Sequence, residues 1–281
     1  FRELDSERLS YLFLRNGLEL DMVVRELWEE LSRSKFEPIR AEVKFGGEGE
    51  MKAVPIHGKK MDAELMGAVD RVDLWFDGVR RFIRVVDYKT GKKDFDYCDV
   101  YNGVGLQMLL YLFALEREGT ALAGGRPTVA GVQYFPARFP YLSKDGRLTE
   151  EEAQAEHVKN AKRRGLILSD EDVLEAMEPG GEFTRLGCKR NKSGEIKGDL
   201  ADSVQLRQLR DYVFQTLAET VDSIAGGSVD ANPYTRGSSH SACAFCPYGS
   251  ICAKDRENGR RNYKTMTAQD FWERIGREEQ A

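Results

Sequence analysis

Between Leu65 and Lys89 the apolar residues recur with a period of two, and the run is interrupted once, at Asp77-Gly78. Alternation of this kind puts successive side chains on opposite faces of an extended chain. An Asp-Gly pair between two such runs is a turn signal. The segment predicts an antiparallel hairpin whose strands are joined by the four-residue loop Asp77 to Arg80. Met66, Ala68, Val72, Leu74 and Phe76 form the apolar face of the first strand. In that register Phe76 faces Arg81, and Asp70 faces Asp87 across a Cβ separation of about 5 Å. Lys89, two residues past Asp87, shares its face. Two carboxylates opposed on an apolar surface repel each other and lose hydration. A divalent cation between them removes both penalties, and Mg²⁺ suits hard oxygen ligands. Lys89 is then placed to activate a water and to stabilise charge on a phosphate. Two alternatives stay open on pattern alone. The three residues make an exposed ion pair at the end of a hairpin, or a one-residue slip puts Asp73 in the place of Asp70.

The rest of the chain alternates helix and strand. Helical spacing runs from Leu9 to about Ser32, from Val104 to Arg117 and from Ser203 to Ile224, where Gly226-Gly227 end the last helix. Ala41 to Phe45 and Val129 to Phe135 read as strands, and Gly46 to Gly49 as a loop. Thr149 and Glu152 form a capping box for a charged helix reaching about Arg164. Ser169 and Asp172 open a shorter helix that stops before Pro179-Gly180, and Gly187 to Gly198 reads as a loop. The order indicates an α/β fold with about five strands in one sheet. The expected division is a core of residues 1–227 and an irregular, cysteine-bearing tail of residues 228–281, with a last helix at Ala268 to Arg274.

Charge and cysteine content narrow the function. The 281 residues carry 42 Lys and Arg against 47 Asp and Glu, a net charge of −5, so bulk charge offers no argument for nucleic-acid binding. Local basic clusters remain. They are Arg80, Arg81, Arg84, Lys89, Lys92 and Lys93 around the hairpin, Lys159 to Arg164, and Lys254 to Lys264. The second reads as a solvated helix face. The hairpin and tail clusters read as DNA contacts, with Arg71, Lys92 and Lys93 as the named candidates. No apolar run approaches the roughly 18 residues that span a bilayer, so no membrane partner is expected and a cytoplasmic location is. Cys243, Cys246 and Cys252 are spaced C-x₂-C-x₅-C, a spacing that wraps one soft metal centre, zinc or iron–sulfur. Cys98 and Cys188 stand apart and read as buried thiols.

Three motifs in order, Gly67-x-x-Asp70-Arg71-x-Asp73, Asp87-Tyr88-Lys89-Thr90-Gly91 and Gly105-x-Gln107-x-x-x-Tyr111, resemble the RecB branch of the PD-(D/E)xK nucleases. The resemblance implies a restriction-endonuclease-like core with a central mixed β-sheet flanked by helices. It implies Mg²⁺-dependent (or Mn²⁺-dependent) phosphodiester hydrolysis by Asp70, Asp87 and Lys89. Gln107 and Tyr111 would flank the active site from one helix face, and Glu42 on the preceding strand would complete the metal set with Asp70 and Asp87. Many members carry a His on the upstream helix. None of His57, His157 and His240 lies there.

In the iron–sulfur subset of that branch, three cysteines follow the core and a fourth precedes it. The resemblance therefore implies a [4Fe–4S] cluster on Cys243, Cys246 and Cys252, with its fourth ligand upstream of Phe1. The chain starts at Phe1 and not at Met, so a fragment without an intact cluster is expected. Arg164 to Met177 and Asn232-Pro233-Tyr234 resemble the C-terminal domain of AddB-type helicase–nuclease subunits. That implies a single DNA strand fed from a duplex end, an AddA-type helicase partner, and a place in double-strand-break processing. The same motifs also occur in CRISPR-associated RecB-like exonucleases. A catalytically idle scaffold that binds DNA or a partner is the reading from outside the enzymes.

Overall fold

The structure is a computed structural model, and it describes residues 7–139, 148–236, 240–244, 246–252 and 261–278. In chain order the elements are α1 Glu7–Arg33, β1 Glu37–Phe45, β2 Val54–His57, β3 Asp62–Leu65, β4 Gly67–Phe76 and β5 Arg81–Lys89. There follow α2 Tyr97–Tyr101, α3 Gln107–Glu118, α4 Thr120–Ala123, β6 Pro127–Pro136, α5 Glu150–Asn160, β7 Arg164–Leu168 and α6 Glu171–Met177. The last elements are β8 Lys189–Arg190, β9 Ile196–Lys197, β10 Leu200–Ala201, α7 Ser203–Ala225, β11 Tyr234–Arg236, β12 His240–Ser241, β13 Arg261–Asn262 and α8 Ala268–Glu278.

Two compact units form, and both draw on separated stretches of chain. The first comprises residues 1–52, 66–95 and 108–206, and the second residues 53–65, 96–107 and 207–281. The first unit holds a six-stranded mixed sheet in the order β1-β4-β5-β6-β7-β10. Strands β5 and β6 run parallel, so the chain between them crosses over and supplies α3. The hairpin β4–β5 pairs Phe76 with Arg81 and Arg71 with Val86, as the alternation predicts. Its loop is held by Asp77, whose carboxylate accepts hydrogen bonds from the amides of Val79 (2.8 Å) and Arg80 (2.6 Å). Six sheet strands exceed the expected five. The short apolar run of β7 sits between two helical patterns, and β10 is only two residues long, so neither has a period to read. The capping box at Thr149 and Glu152 forms, whereas α6 is capped by Asp170 and not by Ser169.

Burial departs from the alternation in one important way. Both faces of β4 are covered, and the more deeply buried one carries Val69, Arg71 and Asp73, while Met66 and Phe76 are exposed. The reason is an ionic cluster beneath α1. Glu30 accepts from Arg71 (2.6 Å) and Arg84 (2.8 Å) on one oxygen and from Arg163 (2.9 Å) on the other. Asp73, with no exposed surface, accepts from Arg71 (3.0 Å) and Arg84 (2.8 Å). One turn earlier on α1, Glu26 accepts from Arg163 (3.1 Å) and Arg185 (3.0 Å) and meets His157 at 2.9 Å. Rings complete the shell, with Arg84 over Phe36 and Arg163 over Phe135. Helix α1 is thus seated by its acids together with Val23, which is buried against Val86, Phe135 and Ala161 with Met22 and Leu27 alongside. Its apolar residues Leu14, Leu18, Leu20, Val24 and Trp28 are exposed, contrary to the core role that their spacing suggests.

The second unit is described by itself. Its β2–β3 hairpin lies in a stretch with no period-two signal. Asp222 of α7 accepts from the amides of Lys59 (2.9 Å) and Lys60 (2.7 Å). The acids Asp96 and Asp99 have structural work here. Asp96 caps α2 and pairs with Arg236, and the buried Asp99 accepts from Tyr234 and meets His240. Leu209, Val213 and Val221 of α7 are buried as their spacing predicts. Among the described residues, no helix is long and apolar enough to cross a membrane.

Burial by itself would raise the Glu30 carboxyl. The charges of Arg84, Arg163 and Arg71 overcome it and hold that carboxyl at about 2. A carboxyl held below its unfolded value of 4.5 stabilises the fold at neutral pH, and that contribution is lost as pH falls from there toward about 2. Removing the shared acceptor leaves three buried guanidinium groups without it. Glu30→Ala is expected to cost about 3–5 kcal/mol in urea denaturation at neutral pH, with the difference from wild type shrinking as the solution is acidified through that window.

Candidate active site

The face of the β4–β5 hairpin opposite the ionic cluster carries the acids. One step beyond the Arg71–Val86 pair, the same register sets Asp70 opposite Asp87. The Tyr88 amide donates to the Asp70 carboxylate at 3.1 Å, which ties the two strand ends together. Asp87 is 6% exposed and ion-paired with Lys89. On the other side, β6 places Tyr134 beside Asp87. Burial raises the Asp87 carboxyl above its ordinary value. Lys89 counters that shift, and the charge of Asp70 adds to it. Tyr134 is pushed up to about 12, by burial first and then by the Asp87 charge. Asp87 is therefore an under-neutralised anion, even with Lys89 in contact.

Glu42 lies between two positions that pair Ala41 with Arg71 and Val43 with Val69, so the register sets it opposite Asp70. It is exposed, and its φ of +54° is a left-handed conformation that side-chain-bearing residues rarely adopt. Glu42, Asp70 and Asp87 thus occupy adjoining positions on three neighbouring strands. Among the described residues, no three His, Cys, Asp or Glu side chains converge closely enough to hold a metal ion. The donor set is all oxygen and unbalanced in charge. That chemistry fits a hard divalent cation that keeps part of its water shell.

The glycine of Gly67-x-x-Asp70 has a packing reason. A Cβ there would sit 2.9 Å from both Phe45 Cζ and Tyr111 Cε1. The Tyr111 ring meets Phe45 edge-on, with centroids 5.6 Å apart. Tyr111 is thereby a positioning residue that seats α3 against the start of β4. Gln107 is the first residue of α3, one turn before it. Arg71 is 4% exposed and bound to Glu30, Asp73 and the Tyr88 hydroxyl. Its surroundings give it a structural role in place of the DNA contact expected from sequence, and the same holds for Arg84. Lys92 and Lys93 are exposed just past β5. Cys243, Cys246 and Cys252 are exposed, and Cys98 and Cys188 are buried. Of the basic tail, residues 253–260 lie outside the described residues. Tyr134 was not found from sequence, because a parallel neighbour across a long crossover leaves no local signal.

A buried carboxylate with a raised folded value costs stability once ionised, and the cost disappears as pH falls through that value. In metal-free buffer at neutral pH, Asp87→Asn is expected to melt higher than wild type, with the gap closing in acid. A variant melting lower at neutral pH would show that the Lys89 contact outweighs burial.

Residues 3–253 match the PD-(D/E)XK nuclease superfamily. An ATP-dependent helicase/deoxyribonuclease subunit of Clostridium tetani is 34% identical over 234 residues, which cover 81% of this chain and 20% of that protein. The subunit of the same name from Desulforudis audaxviator is 31% identical over 97% of this chain and 24% of its own length. That of Moorella thermoacetica is 32% identical over 96% of this chain, again covering 24% of its length. The chain spans about a quarter or less of these curated relatives. The family match covers most of the chain, including the opposed acids and their lysine, and the chain belongs to the PD-(D/E)XK nuclease superfamily.

Proposed function

We propose that this chain is a metal-dependent deoxyribonuclease module. It hydrolyses phosphodiester bonds in a single strand fed from a duplex end, within an AddB-type subunit of a helicase–nuclease. The observation that carries the reading is the opposed Asp70–Asp87 pair with Lys89 against the buried acid. The wider setting rests on the relatives named as helicase/deoxyribonuclease subunits, which match 81–97% of the chain. Their names favour this setting over a CRISPR-associated exonuclease. On this reading the partner is an AddA-type helicase, the process is double-strand-break end processing and recombinational repair, and the location is cytoplasmic.

Asp70 and Asp87 would hold Mg²⁺ or Mn²⁺, with Glu42 as the third acid. The cation supplies Lewis-acid stabilisation of the phosphoryl charge. The chain's own groups supply the rest. The Tyr88 amide fixes one Asp70 oxygen and would leave the other for the cation. Burial strengthens Asp87 as a base. Lys89, half-buried beside it, has ammonium protons to offer both to Asp87 and to a phosphate oxygen. Tyr111, packed on Gly67, keeps α3 from shifting the strand end. The exposed thiols of Cys243, Cys246 and Cys252 are proposed as three ligands of a [4Fe–4S] cluster, which the buried Cys98 and Cys188 would not join.

Asp87→Ala is expected to abolish cleavage of single-stranded DNA with Mg²⁺ or Mn²⁺, with the far-ultraviolet spectrum unchanged. Mn²⁺ should raise the melting temperature of the wild type and not that of the variant. Cleavage retained by the variant would sink the catalytic assignment. Absence of any Mn²⁺ effect on the wild type would favour an idle scaffold.

A further inference from the structure

A cleft of about 600 Å³ opens at the ends of β5 and β6 and the end of α5. Eight of its fifteen lining residues are Lys or Arg, and none is acidic. In a chain of net charge −5 that is a strong local excess. The lysines come from separate elements. Lys89 ends β5, Lys92 and Lys93 follow it, Lys159 sits in the last turn of α5, and Lys162 and Arg164 lead into β7. The sequence pattern makes Lys159 to Arg164 a solvated helix face, but the fold turns three of its four basic residues onto the same space as Lys92 and Lys93. The cleft adjoins Asp87, because two of its lining residues, Lys89 and Tyr134, are also the neighbours of that acid.

Several of these cations already have partners. Arg164 meets Asp94 at 2.8 Å, Lys92 meets the same acid at 3.6 Å, and Lys159 meets Glu156 at 3.3 Å. These are surface pairs that water screens, and a phosphate can replace such partners. Among the described residues, no ion pair involves Lys93 or Lys162. The aromatic rings of the cleft are unsuited to stacking on bases, since Tyr134, Phe135 and Phe139 are all buried. What faces the open space is flexible cationic chains, which recognise phosphate and not base identity.

We propose that this cleft binds the sugar–phosphate backbone of the single strand next to the bond being cut, with Lys159, Lys162 and Arg164 as phosphate contacts and no reading of base sequence. The proposal deepens the nuclease reading and rests on it for the identity of the ligand. Each phosphate neutralised on a single strand contributes about 0.7 to the slope of log affinity against log salt.

The test is fluorescence anisotropy with a labelled oligothymidylate in EDTA, so that binding is measured without cleavage. The combined variant Lys159→Ala, Lys162→Ala and Arg164→Ala should bind at least about tenfold more weakly, with a slope shallower by about 2. The pair Lys159→Arg and Lys162→Arg should keep wild-type slope and affinity. Lys192→Ala with Lys197→Ala, on the β8–β9 hairpin, should change neither. If the combined variant is misfolded by circular dichroism, Lys159→Gln by itself should still lower the slope by about 0.7. Unchanged slope and affinity in the folded variants would overturn the proposal, as would a marked preference for oligothymidylate over oligodeoxyadenylate. A wild type that binds with the expected slope but never cleaves with Mg²⁺ or Mn²⁺ defeats the nuclease reading and leaves the cleft standing. A wild type that cleaves, beside a combined variant with unchanged KM, defeats the cleft and leaves the nuclease.

Discussion

Glu30 is the shared acceptor for Arg71, Arg84 and Arg163, and the first unit is organised around that convergence. Four guanidinium groups and three carboxylates lie between α1 and the sheet, and each was taken from water at a cost that only close pairing offsets. The arginines come from β4, β5, the position just before β7 and the segment between α6 and β8, while two of the acids come from α1. Helix and sheet are thus joined by charge as well as by the apolar contact of Val23 with Val86 and Phe135.

The cluster also answers the question of register. A slip of β4 by one residue would carry Asp70 beneath α1, toward Glu26 and Glu30, and would turn Arg71 and Asp73 away from their partners. Buried like charges and orphaned arginines make that arrangement far costlier than the loss of an apolar contact. The odd-numbered face of β4 is therefore fixed by the ionic cluster, and the even-numbered face, with Asp70, is fixed with it. The two faces end in opposite electrostatic conditions. Beneath α1 every carboxylate has guanidinium partners. On the other face Asp87 is ion-paired with Lys89 and faces an opposing acid, and burial first, with the Asp70 charge adding to it, raises its proton affinity. Stability is concentrated on one side of the hairpin, and the chemically useful imbalance on the other.

Much of the site was legible in sequence because the hairpin is local. Alternation, an Asp-Gly turn and a four-residue loop set the pairing of Phe76 with Arg81, and arithmetic along the strands then opposes Asp70 and Asp87. Amphipathic spacing likewise found α3 and α7. Two-residue strands such as β10 were not legible, since they have no period and exist through their neighbours. Nor was the burial of Arg71 and Arg84, because a polar residue in an alternating strand reads as solvent-facing unless its counter-charge is known. One counter-charge, Asp73, is itself a polar residue of the strand, and the other stands more than 40 positions away, on Glu30.

By itself the sequence determined the hairpin, its turn and the order acid, acid, lysine, because these depend on a period and a turn within about 25 residues; the register, open to a one-residue slip on pattern alone, was settled by packing. The tertiary structure decided which cations are consumed inside and which remain for a ligand. Arg71, Arg84 and Arg163 are held by α1, while Lys92, Lys93 and Lys162 gather on one cleft with Lys89. Local pattern sets the face to which a side chain points. The charge that meets it there belongs to distant segments, and only packing brings them together.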